Sequence, residues 1–303
     1  MADLSNAACL LCGDGRLSSL EKKPRDCKDA DIVVCKLCRH IQVWPLMSEE
    51  EENIVFDSDA NVRFGALSAG SDFGAMRRKF SELTKEHVNN YFTELQNYNN
   101  VLELGAGYGF FMEALNQKPN RVFNIEGIEI SKYKLDNFVG GIVHNVNILT
   151  DEIPGALVNK HDCIICIFVL EHIRSPILFL KKIKPLLKSG DSVIFEVPNI
   201  NCFLGEISEK YKDFMYVYEH CSYFSAATLK LVFEEAGYTI DEIKTYEIYS
   251  IENHCRWVRE GTPFTKYNQM FMPDERLEWI NEIYKENISR QGKGYSLSIK
   301  ACI

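Results

Sequence analysis

The stretch Val101-Leu102-Glu103-Leu104-Gly105-Ala106-Gly107-Tyr108-Gly109-Phe110 constrains this chain more than any other. A short apolar run passes through an acid into a turn with glycine at three alternate positions. Helical spacing then resumes at Phe110, Phe111, Ala114 and Leu115. That order is a strand, a tight turn and a helix N-terminus, the opening of a nucleotide-type pocket.

The segments downstream continue the alternation. Asn124–Ser131 reads as a strand ending in an acid, Glu129, with Ser131 capping the next helix. Glu129 follows Gly105 by twenty-four residues. At the end of the second strand of a βαβ unit, an acid near that distance can accept hydrogen bonds from two ribose hydroxyls. Gly141–Ile148 reads as a third strand and its exit. Asp162–Phe168 is continuously apolar after its first residue, as in a parallel strand buried on both faces. Cys163 and Cys166 there copy a C-x-x-C spacing, but three residues apart on a strand they point to opposite faces and read as core.

A helix is expected over Pro176–Leu187, closed by Lys188-Ser189-Gly190, and a fifth strand over Asp191–Asn199. Residues 200–224 interrupt with an aromatic insertion. Ser225 then caps a helix that Gly237 ends, and Tyr238–Tyr249 reads as a sixth strand. An insertion over 253–292 carries a helix at Glu275–Ser289, and Tyr295–Ile303 is a terminal strand. The alternation argues for right-handed crossovers and an α/β fold, a mostly parallel sheet with helices on both faces.

The first forty residues hold a different signal. Cys9-Leu10-Leu11-Cys12 and Cys35-Lys36-Leu37-Cys38 are two knuckles separated by twenty-two residues. Each places two sulfurs on one side of a tight turn, and two such turns complete a tetrahedron around Zn²⁺. Four thiolates leave no open coordination position, so the expected role is structural rather than catalytic or redox, and two matched pairs argue against four unrelated buried cysteines. Cys27 lies between the knuckles as a bystander. The domain division that follows is a zinc ribbon and linker over 1–60 and an α/β domain over 61–303. Ser48 and the four glutamates after it read as a capped, solvated helix start rather than a metal site. The small residues of 61–72 suggest a flexible or gating segment, and Phe73–Tyr98 has helical spacing.

Composition narrows the partners. The formal net charge is −9, which argues against a general nucleic-acid footprint. No apolar run reaches membrane-span length, and the N-terminus lacks the basic and apolar regions of a signal peptide. Eleven cysteines without a secretion signal read as thiols or metal ligands, so a cytoplasmic protein is expected, with self-association left open.

The glycine pattern resembles the first motif of class I S-adenosylmethionine (SAM)-dependent methyltransferases, E/D-x-G-x-G-x-G. Nicotinamide and flavin folds use G-x-G-x-x-G around a pyrophosphate, whereas SAM carries an ammonium group that an acid at Glu103 could attract. Val169-Leu170-Glu171-His172 and the two late strands, expected as the antiparallel sixth and seventh of that family's sheet, extend the resemblance over nearly the whole chain. It implies a Rossmann-like class I methyltransferase with a small N-terminal zinc ribbon. The cofactor would be held by Glu103, Gly105, Ala106, Gly107, Tyr108, Gly109, Phe110, Glu129, Ile130, Asn147, Ile148 and Phe168, with Asn147 facing the adenine amino group.

Nucleotide-sugar C-methyltransferases with a cysteine-rich N-terminal domain are the nearest resemblance. Their Y-H-E-H then Y-F-S pattern is similar to Val217-Tyr218-Glu219-His220 and Tyr223-Phe224-Ser225, with Val217 in place of a tyrosine and Tyr218 in place of a histidine. A sugar or sugar-nucleotide acceptor is the expectation, methylated through a hydroxyl, with carbohydrate biosynthesis as its setting. Other small-molecule acceptors, through oxygen, nitrogen or carbon, are the alternative. A binding protein with a vestigial SAM pocket is the third reading. An acceptor hydroxyl is almost wholly protonated at neutral pH and needs a base, for which histidine is suited. His220 is the first candidate, with Glu219 orienting it or contacting substrate, and His172 is the second.

Overall fold

The computed structural model describes residues 3–56, 73–119, 123–262 and 278–303; the small-residue stretch 61–72 lies outside them. Around the N-terminal cysteines, β1 (Leu17–Lys22), β2 (Asp31–Cys35) and β3 (Ile41–Trp44) form an antiparallel meander. Both faces of β2 are covered: all five of its residues are buried, Val33 and Cys35 in the main core and Ile32 in a cluster with Tyr216 and Tyr223. The cover comes from the rest of the chain. α1 (Glu49–Phe56) follows, opened by a capping box in which the Ser48 amide donates to Glu51 and the Glu51 amide to the Ser48 hydroxyl.

The α/β part begins with α2 (Phe73–Leu95), β4 (Asn100–Leu104), α3 (Phe110–Asn116), β5 (Asn124–Ile128), α4 (Lys132–Leu135) and β6 (Ile142–His144). It continues through β7 (His161–Ile167), α5 (Pro176–Ile183), β8 (Leu187–Pro198), α6 (Phe203–Ile207), α7 (Glu209–Met215) and β9 (Ser222–Tyr223). It closes with α8 (Ala226–Glu235), β10 (Thr239–Tyr246), α9 (Ile251–Glu260), α10 (Glu278–Arg290) and β11 (Ser296–Cys302). Seven strands lie in the order β10-β11-β8-β7-β4-β5-β6, the Rossmann-like arrangement that the resemblance implies.

Neighbours from β6 to β8 are parallel, and β11 is antiparallel to both β8 and β10. The two late strands pair antiparallel, as expected. β10 runs in the sense of β8, because α8 makes a crossover between them, and β11 alone is reversed. Cys163 and Cys166 fall in separate core layers, as their spacing demands. Cys166 packs with Leu104, Phe195, Leu180 and Phe233, and Cys163 with Val101, Tyr91 and Leu115. On the second face His87 and Tyr91 of α2 bond the buried Glu196 carboxylate of β8, at 3.0 and 2.8 Å.

Three boundaries differ from the sequence reading. The helix from Pro176 stops at Ile183, one turn short, since Pro185 has no N–H to continue it. Residues 188–190 accordingly open β8 instead of closing a helix, with Gly190 at φ +90°. The third strand is only Ile142–His144, and residues after it turn along a cavity. The late insertion holds α9 as well as α10. Among the described residues no helix is long and apolar enough to cross a membrane.

β9 joins the two parts of the molecule. It pairs with β3, Ile41 opposite Tyr223 and Gln42 opposite Ser222, while Asn199 at the end of β8 bridges Phe224. His40 Nε2 lies 3.2 Å from the Ser222 hydroxyl, and the Val43 amide donates to Cys221 O at 3.3 Å. Residues 217–224 are thus held between the ribbon sheet and the C-terminal end of the large sheet.

Candidate active site

At the end of β4 the three alternate glycines all take left-handed backbone, φ +70° at Gly105, +57° at Gly107 and +79° at Gly109. Two of them also have no room for a side chain. A β-carbon on Gly105 would stand 2.3 Å from Val169 Cγ2, and one on Gly109 would stand 2.4 Å from the Gly140 amide nitrogen. Gly107 meets nothing within 4 Å. We expect Gly109→Ala to be the most damaging glycine change, because a backbone atom cannot rotate away. Left-handed strain alone costs about 1–2 kcal/mol. Thermal melting should therefore show a Tm lowered by at least about 2 °C; an unchanged Tm would mean that the turn accommodates a side chain.

Glu129, at the exit of β5, folds back on this turn. One carboxylate oxygen accepts from the Gly107 amide at 2.7 Å and the other from the Ile130 and Ser131 amides at 2.9 and 2.8 Å. A cavity of ≈ 290 Å³ opens beside it, near the lower end of the range for small-molecule sites, about 300–1,000 Å³. Gly105, Glu129, Ile130, Asn147, Ile148, Phe168 and His172 line it, from among the residues singled out by sequence. Glu103, Ala106, Gly107, Tyr108, Gly109 and Phe110 do not. Tyr108 stacks on Phe110 at 5.5 Å in a small apolar cluster with Phe80. Glu103 is 5 % exposed, and among the described residues nothing bonds its Oε2. Burial, and after it the charge of Glu129, pushes its carboxyl well above the usual range.

Phe168, at the end of β7, adopts a left-handed φ of +53°, and the chain then turns through Leu170–His172. His172 Nδ1 donates to the Glu219 carbonyl at 2.9 Å. Its ring meets Phe56 at 5.4 Å and His220 at 4.8 Å, edge to face in both cases. Burial lowers the pKa of both imidazoles, that of His220 further through its neighbours His172 and Arg25. Both rings are therefore neutral near neutral pH.

His220 and Glu219 face a second cavity of ≈ 160 Å³ whose walls include Tyr211, Tyr249, Tyr295 and Arg25. Arg25 reaches in from the β1–β2 connection with its guanidinium 3.8 Å above the Phe214 ring. His172 thus stands where the two cavities approach each other, 52 residues before Phe224 in sequence but bonded to the loop that carries Glu219. Sequence reasoning missed Arg25, Tyr249 and Tyr295 here. It also missed Glu52, Phe56, Lys134 and Arg174 in the first cavity. Glu52 read as solvated, like Glu49–Glu51, and only its ion pair with Arg174 sets it apart.

In the ribbon, Cys9, Cys12, Cys35 and Cys38 converge with all four sulfurs within 4.8 Å of one another. Cys9 lies 3.5 Å from Cys38, and Cys12 lies 3.6 Å from Cys35. Sulfurs about 2.3 Å from one Zn²⁺ in a tetrahedron stand about 3.8 Å apart, so the donor set fits that ion. The two knuckles are alike, with the Gly13 amide on Cys9 O and the Arg39 amide on Cys35 O. Cys27 stays outside, packed near Leu20 and Tyr216.

The family described as a methyltransferase domain matches residues 76–243. No curated protein matches the chain. Among solved structures, a SAM-dependent methyltransferase from Archaeoglobus fulgidus is 17% identical with a TM-score of 0.49, over 77% of this chain and 100% of that one. The magnesium protoporphyrin IX methyltransferase from Synechocystis PCC 6803, with bound SAH, is 12% identical with a TM-score of 0.49, over 84% of this chain and 99% of that one.

Proposed function

The chain belongs to the methyltransferase-domain family and is a SAM-dependent enzyme; from that premise we propose that it methylates a hydroxyl of a sugar or sugar nucleotide. The observation that carries the reading is the second cavity. Its tyrosine rings offer flat apolar faces to a sugar ring, and Glu219, His220 and Arg25 offer acceptors and donors to its hydroxyls or to an anionic substituent.

SAM, when bound, supplies a methyl group on a sulfonium; the acceptor oxygen's lone pair forms the new bond as the carbon–sulfur pair leaves with sulfur. The residues present fit that cofactor. Glu103 is a buried carboxyl beside the glycine turn whose Oε2 has no partner among the described residues, and the SAM ammonium would favour its charged form. Glu129 holds the turn and keeps lone-pair capacity for ribose hydroxyls, and Asn147, expected to face the adenine amino group, lines the same cavity with Ile148 and Phe168. We assign deprotonation of the acceptor to His220, with Glu219 beside it, and positioning to His172, whose Nδ1–H grips the Glu219 carbonyl. The ribbon takes a structural Zn²⁺ on Cys9, Cys12, Cys35 and Cys38, and through β3 and β9 it braces the loop of His220.

The direct test is a panel of sugar nucleotides, free sugars, catechols and amines with methyl-labelled SAM. Label is expected on a sugar hydroxyl. Transfer confined to catechols or amines, or to a sugar carbon, would overturn the hydroxyl reading.

A further inference from the structure

Beyond the four cysteines, a second set of metal-type donors converges in the described part of the molecule. One ligand atom each of Glu171, His172 and His220 lies within 4.8 Å of the others. We propose that these three side chains form a second metal centre, a two-histidine, one-carboxylate site for a divalent transition cation between the cofactor cavity and the acceptor cavity. The inference rests on the reading that the acceptor hydroxyl meets the methyl donor at this junction, and it names how that hydroxyl is activated.

Three features of the chain point to a cation. Glu171 is 1% exposed, and among the described residues nothing bonds its Oε2. A buried carboxylate oxygen without a cation or a donor is costly to maintain, and a carboxylate oxygen of Glu171 lies within 4.8 Å of a ring nitrogen of each histidine. Secondly, His172 is already oriented. Its Nδ1 must carry the proton, because its partner at 2.9 Å is a carbonyl, and that leaves the Nε2 lone pair bare. A backbone carbonyl fixing the far nitrogen of a histidine is the usual support of a metal-bound imidazole. Thirdly, the His220 ring has no hydrogen bond among the described residues and sits edge-on to His172 at 4.8 Å.

Ligands about 2.0–2.2 Å from one ion stand roughly 3–4 Å apart, so atoms now within 4.8 Å of one another need to draw in by up to about 2 Å. Neutral nitrogens with one carboxylate suit Zn²⁺, Mn²⁺, Fe²⁺ or Co²⁺ better than Ca²⁺ or Mg²⁺. Three protein ligands, unlike the four thiolates of the ribbon, leave a coordination position open. An acceptor oxygen taking it would have its pKa lowered. The hydroxyl proton then passes to the Glu219 carboxylate, in the same cavity wall. With the cation bound, Glu219 therefore takes the place of His220 as the proton acceptor, and His220 acts on the acceptor by holding the cation.

Co²⁺ titration of the full chain tests the site, after a chelator wash mild enough that elemental analysis still finds one zinc per chain for the ribbon. One equivalent without thiolate charge-transfer absorption is expected in the wild type. It should be lost in both Glu171→Gln and His220→Ala, each checked for fold by calorimetric binding of S-adenosylhomocysteine. Mn²⁺, which thiolates bind poorly, should lose its free paramagnetic resonance signal on the wild type but not on either variant. Absence of this equivalent in the wild type, or its persistence in His220→Ala, would overturn the cation. The junction itself is judged separately. If no cation binds yet His220→Ala still loses turnover, the histidine is a free base; if turnover survives, the junction is not the reaction site.

Discussion

His220→Ala should lower turnover by about 10²–10⁴-fold, the usual contribution of a positioned proton-transfer group, while affinity for S-adenosylhomocysteine changes little. The separation follows from placement. His220 lies in the wall of the tyrosine-lined cavity and is absent from the wall of the cofactor cavity. Among the described residues its ring packs against His172 and Tyr223. Single-turnover assays with labelled SAM, alongside calorimetry of S-adenosylhomocysteine, check both halves. Loss of cofactor affinity together with turnover would make His220 structural. Unchanged turnover would remove it from the chemistry altogether. His172→Ala should differ in kind. His172 borders the cofactor cavity and holds the Glu219 carbonyl, so both affinity and turnover should fall.

Replacing Cys9 and Cys12 by serine should strip the ribbon of zinc and lose most acceptor methylation, with S-adenosylhomocysteine binding reduced far less. Four-thiolate binding is worth about 10–16 kcal/mol in isolated zinc modules, and β1–β3 share the rest of their core with later segments such as Tyr216 and Tyr223. The loss should spread by a definite route. β3 pairs with β9, the Arg25 amide donates to Tyr216 O, and Asp26 accepts from the Tyr218 amide. Each contact ends in the segment that carries Glu219 and His220. Elemental analysis would give the metal content, and hydrogen exchange over residues 216–224 would report the loosening. Unchanged metal content would refute the zinc assignment. Intact methylation by a zinc-free protein would show that the ribbon does not brace the site.

Much of this molecule was legible from short-range patterns. Apolar runs and 3.6-residue spacing located the strands and helices. Alternate glycines announced a turn that in the structure is left-handed at all three positions, and two C-x-x-C pairs announced four converging sulfurs. These signals are readable because the physics behind them is local. A strand buried on both faces must be apolar throughout, a left-handed residue favours glycine, and a knuckle sets its own sulfurs.

What only the tertiary structure decided lies between segments far apart in the chain. The sense of β10 depends on which connection crosses the sheet. Arg25 carries no mark that distinguishes it from other surface cations until the β1–β2 connection is laid over Phe214. Glu52 looks like its three acidic neighbours until Arg174 meets it. Glu171 reads as one residue of a loop after a strand, yet burial strips it of solvent and brings it together with two histidines, one adjacent and one 49 residues later. Periodicity reports which way a side chain leaves its own element. It says nothing about what a distant element brings to meet it, and both cavities of this enzyme are built from such meetings.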